Sequence, residues 1–62
     1  MKIRDILKLI HDDGWREVNQ SGSHKQFKHP TKSGKVTIPV GNSLNDDLDP
    51  KTERSILKQA GL

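Results

Sequence analysis

Two hydrophobic periods alternate along the chain. Ile3, Ile6, Leu7 and Ile10 recur at i, i+3, i+4 and i+7, the one-sided stripe of an amphipathic helix. Leu9 flanks this stripe, and Gly14 follows as a stop, where a left-handed backbone costs glycine little. Residues 15–20 then read as a strand and Ser21-Gly22-Ser23 as a turn. Residues 24–29 form a second strand, ended by Pro30. Thr31-Lys32-Ser33-Gly34 reads as a hairpin turn, and Lys35-Val36-Thr37-Ile38-Pro39 as a third strand with strict alternation. Residues 40–48 carry glycine, asparagine and two aspartates and read as a loop. Asp49-Pro50 is a helix start, with Asp as N-cap and Pro at the first helical position. Ile56, Leu57 and Ala60 form the apolar side of that helix, and Gly61 ends it.

The predicted order is α-β-β-β-α. It describes an α+β domain over residues 1–62, with a three-stranded antiparallel meander and both helices on one sheet face. The two-residue period of strands assigns sides. Phe27, Val36 and Ile38 must face the helices. His24, Gln26 and Lys28 then point away from the core, while Lys25 and His29 share the parity of Phe27 and reach past the core rim. Trp15, after a helix-ending glycine, reads as core rather than as a base-stacking platform.

Composition limits what holds this fold. A chain of 62 residues buries only about 60% of its unfolded surface. The absence of cysteine removes disulfides and thiolate metal sites. Three scattered histidines give no metal-ligand pattern, and neither a metal nor another cofactor is expected. No apolar run approaches the roughly 20 residues that span a bilayer. The opening Met1-Lys2-Ile3-Arg4-Asp5 does not resemble a signal peptide. A cytoplasmic protein without a membrane partner is the expectation.

Charge then singles out the middle third. Residues 15–39 hold Arg16, Lys25, Lys28, Lys32 and Lys35 against Glu17 alone, a local net charge of +4 out of +3 for the whole chain. Such a stripe suits a polyanion, and solubilising lysines would give the same count. Asp12 and Asp13 lie at the helix end that disfavours anions, with no stabilising partner legible nearby. His11, in the last turn of that helix, reads as a surface residue.

His24 follows a glycine turn on an outward strand position. An unperturbed imidazole titrates at about pH 6.5 and can give or take a proton near neutrality. With lysines to hold phosphate oxygens, the chemistry implied is RNA phosphodiester cleavage, with the histidine taking the 2′-hydroxyl proton. Lys25, Lys28 and Lys35 are candidate phosphate contacts, and Gln26 is a further RNA contact on the face of His24. Ser23 serves either a phosphate or the turn. His29, next to Pro30, fits a structural role at the strand end better than a second acid or base. Taken alone, these residues fit a ribonuclease, a non-catalytic RNA-binding module, or an adaptor whose sheet edge accepts a partner strand.

Gly14-Trp15, Gly22-Ser23-His24, Phe27-Lys28-His29-Pro30, Gly34-Lys35-Val36-Thr37-Ile38-Pro39 and residues 55–62 resemble, in this order and spacing, the HicA toxin family. These are small bacterial RNA-cleaving toxins (mRNA interferases) of toxin–antitoxin pairs. The resemblance implies a fold like that of double-stranded-RNA-binding domains. It also implies His24 as the catalytic residue, mRNA as substrate, and a HicB-type antitoxin that covers the site.

Overall fold

The computed structural model describes residues 1–41 and 43–62; Asn42, within the expected 40–48 loop, lies outside the described residues. Helices α1 (Ile3–Asp13) and α2 (Pro50–Gln59) enclose strands β1 (Arg16–Ser21), β2 (His24–Lys28) and β3 (Val36–Pro39) in sequence. The strands form an antiparallel sheet in the order β1-β2-β3. The α-β-β-β-α arrangement expected from the sequence is the one observed.

Ile3, Ile6 and Ile10 of α1 are buried, as the stripe requires, and Leu7 packs at its margin. Gly14 ends the helix at φ 114°, a conformation that disfavours side chains. Space makes the same demand, because a Cβ there would lie 2.6 Å from His29 Nε2. The main-chain N–H groups of Gly14 and Trp15 return to the carbonyls of His11 and Ile10. They satisfy acceptors that a helix end leaves open.

The start of α1 is capped from far away. Lys2 offers no capping side chain. Ile3 N–H instead donates to Asp46 O at 3.0 Å, and Arg4 N–H to Leu44 O at 2.9 Å. Lys2 also bridges Asp47, and Arg4 Nη1 donates to Asn45 Oδ1 at 2.8 Å. The expected loop is therefore an N-cap built from backbone, anchored by Val40 and Leu48, both buried. The start of α2 is local, as predicted: Asp49 Oδ2 accepts from Lys51 N–H at 3.1 Å, with Pro50 beside it.

One cluster joins the α1 stripe and Trp15 to Phe27, Val36, Ile38, Val40, Leu48, Ile56 and Ala60. Full burial of an Ile, Val or Phe side chain stabilises a fold by about 1.5–3 kcal/mol. Trp15 is fully buried and does not present a stacking surface. Lys25 pairs with Ile38 and Phe27 with Val36, whereas His24 pairs with Pro39 and Gln26 with Thr37. Partners across a ladder share a face, so the buried pairs mark the inner face and the others form the outer one.

Two details depart from the expected elements. A bulge between Glu17 and Asn19 shifts the β1–β2 register and leaves Val18 exposed. The β2–β3 connection spans residues 29–35 rather than a four-residue turn, because it wraps around the ring of His29. Thr31 N–H and Lys32 N–H both donate to His29 Nδ1 at 3.1 Å.

Candidate functional site

The outer sheet face is uncovered, since the helices share the core with the inner one. Its rows follow the register. Ser21, His24 and Pro39 form the first, Asn19, Gln26 and Thr37 the second, and Arg16 and Lys28 the third. The β2–β3 register ends at Phe27 and Val36, and Lys35 directly precedes β3. His24 opens β2 directly after the Gly22-Ser23 turn, where Gly22 adopts φ 58°. A glycine of positive φ at the first loop position matches a tight hairpin and starts the strand at the next available residue. The turn is held at Ser23 O, which accepts from Val40 N–H at 2.7 Å, and at Gly22 O, which accepts from Gln20 Nε2. His24 is exposed, and its ring is free of protein hydrogen bonds among the described residues.

The basic stripe separates into cations with different tasks. Lys25 sits on the inner-face side and pairs with Glu17 at 3.0 Å. Arg16 Nη1 donates to His11 O and Trp15 O, both at 2.9 Å, capping the end of α1. Lys32 Nζ donates to Asp13 Oδ2 at 2.6 Å and to Ala60 O at 3.0 Å, which ties the ends of both helices together. Lys28 and Lys35 are exposed and have no ion-pair partner among the described residues. Lys28 lies four residues along the strand from His24, about 13 Å away. Lys28, without an ion-pair partner among the described residues, thus stands at the far end of β2 from His24. Ser23, also exposed, is the neighbouring polar side chain.

His29 has the opposite environment. Its Nδ1 accepts the two loop N–H groups, and the Thr31 hydroxyl lies 3.2 Å away. The proton therefore resides on Nε2, which donates to Asp13 O at 2.7 Å. Its ring meets Trp15 edge-on, with centroids 5.3 Å apart. Both nitrogens are occupied by backbone, so His29 is a structural residue. Asp13, unexplained by its position at a helix end, is the acid of this cluster. The Lys32 ammonium beside it holds its carboxyl below the ordinary value of 3.8, and Trp15 Nε1–H, donating at 3.2 Å, adds to the effect.

Each sheet edge has one of its amides masked. Thr37 N–H of β3 donates to Gln59 Oε1 at 3.2 Å, and Gln20 N–H of β1 to Asn19 Oδ1 at 2.9 Å. Together with the bulge, these blunt the edges against an added strand. Among the described residues no three His, Asp or Glu side chains converge as a metal site, and no helix is long and apolar enough to cross a membrane.

A family model described as HicA toxin of bacterial toxin–antitoxin matches residues 3–62. No curated protein matches the chain.

The two histidines should separate in stability. His29→Ala leaves two loop N–H groups and the Asp13 carbonyl without partners, a loss of about 1–3 kcal/mol. His24→Ala stays within about 0.5 kcal/mol of wild type. Urea denaturation at neutral pH measures both. The Asp13 shift adds a pH dependence. A carboxyl whose folded value is lowered contributes stability above its unfolded value, and that contribution fades as pH falls through the folded one. Wild type should therefore exceed Asp13→Asn in stability at neutral pH, with the difference shrinking below about pH 4. Thermal melts across that range test it.

Proposed function

The chain belongs to the HicA toxin family, and on that premise we propose that it is a ribonuclease toxin, an mRNA interferase of the cytoplasm, with His24 as its catalytic residue. The observation that carries the proposal is the division of the two histidines: His24 is open on the outer face, while His29 is held by backbone on both ring nitrogens.

In this reading a single-stranded RNA lies across the outer face, and His24 accepts the proton of a 2′-hydroxyl. The 2′-oxygen bonds to the adjacent phosphorus as the bond from phosphorus to the 5′-oxygen breaks. The products are a 2′,3′-cyclic phosphate and a 5′-hydroxyl, whose proton comes from water or from the imidazolium. Ser23 contacts the scissile phosphate. Lys28 and Lys35 hold phosphates further along the strand, and Gln26 contacts the nucleotide between. Lys25 adds to the field from the other side of β2, its charge offset by Glu17. A positioned base contributes about 10²–10⁴-fold, and with no free cation beside His24 among the described residues the enzyme is a slow one. The antitoxin partner is of the HicB type and neutralises the toxin by covering this face.

The distance from His24 to the free lysines also favours a second reading, in which the same face binds RNA without cutting it. Purified wild type and His24→Ala separate the two. The nuclease reading expects wild type to yield cyclic-phosphate ends, His24→Ala to lose at least 10²-fold in rate, and both to bind RNA with similar salt dependence. Expression of the two forms in bacteria should show growth arrest with wild type alone. Equal cutting by both forms would remove His24 from the mechanism; binding without cutting would leave the RNA-binding module.

A further inference from the structure

We infer that Gln26 reads the base of the nucleotide next to the phosphate at His24, which makes it the specificity residue of the outer face. This rests on the RNA-binding reading above and extends it from where the strand lies to what is read along it.

The register places His24, Gln26 and Lys28 on one face of β2, each about 7 Å from the next. Cations on phosphates position a strand and carry no sequence information. Discrimination must come from an uncharged group between them that presents donors and acceptors in a fixed direction. Gln26 is half-buried between its cross-strand neighbours Asn19 and Thr37. Packing on both sides restricts its stem, so less rotamer freedom remains to be lost on binding. Neighbouring amides are already used: Asn19 Oδ1 accepts from Gln20 N–H, and Gln59 Oε1 from Thr37 N–H. The Gln26 carboxamide has no hydrogen-bond partner among the described residues, and it faces the open side.

A carboxamide presents one acceptor and a donor pair. That pattern matches adenine at N6 and N7 in two parallel hydrogen bonds. A paired A-form duplex hides this edge in a deep, narrow groove, whereas an unstacked base displays it. The ligand is thus single-stranded RNA; adenine is the base assigned, and enrichment of cytosine or uracil, whose Watson–Crick edges also pair with a carboxamide, would overturn that assignment.

The test uses a pool of random single-stranded RNA octamers with wild type, Gln26→Ala and Gln26→Glu. Bound sequences and cut ends are read in parallel. Wild type should enrich adenine at one position. Gln26→Ala should reduce that enrichment about tenfold, with the loss confined to sequences carrying adenine there and the salt slope, set by the lysines, retained. Gln26→Glu should disfavour adenine there, because it lacks the donor. General loss of structure would instead weaken binding to all sequences and flatten the salt slope, which a retained salt slope excludes. An unaltered profile in Gln26→Ala, or no base preference in wild type, overturns the inference. Cut ends with an unaltered profile reject the role of Gln26 and leave the nuclease standing. An altered profile without cut ends does the reverse.

Discussion

A strand alternates, so burying Phe27 against the helices commits every other residue of β2. Phe27 lies opposite Val36, and Lys25 opposite Ile38, on the face where the core forms. His24, Gln26 and Lys28 are thereby placed together on the face that no helix covers. A slip of one residue would exchange the two sets. It would bury His24 and Lys28 unpaired, at a cost this small core could not offset. The composition of the outer face is a consequence of where one phenylalanine must go.

What keeps that strand in place is polar as much as apolar. His29 turns inward at the end of β2 and organises the following loop around Nδ1, while Nε2 holds the last turn of α1. Lys32, presented by that loop, joins Asp13 to the carbonyl of Ala60, so one ammonium lies at the C-terminal ends of both helices. Cations are favoured at such ends. A chain without disulfides uses this cluster to connect α1, the β2–β3 loop and α2. The division of labour follows: three of the five basic residues of the central stripe hold the fold or pair with Glu17, and Lys28 and Lys35 remain for a ligand.

Local patterns made most elements legible. The Ile3–Ile10 stripe, Gly14, the Asp49-Pro50 start and the alternation around Val36 and Ile38 each carry their structure within a few residues. The side of His24 was legible too, since parity needs only one buried neighbour. Long-range bonds were not. The N-cap of α1 comes from the carbonyls of Leu44 and Asp46, which no side-chain signature announces. The bulge at Val18 depends on its partner strand. The pairing of Asp13 with Lys32 crosses 19 positions, so the stripe of lysines looked uniform in sequence and proved to be divided in space.

The outer face is the central claim, and amide NMR with a short RNA carrying 2′-O-methyl groups, which no 2′-hydroxyl mechanism can cut, tests it most directly. The account predicts shifts at Ser23, His24, Gln26 and Lys28 and at Lys35 and Thr37, weakening with salt, with the amides of Asp13 and Trp15, which contact His29, unmoved. Shifts concentrated on the exposed surfaces of α1 or α2, with His24 unaffected, would contradict it.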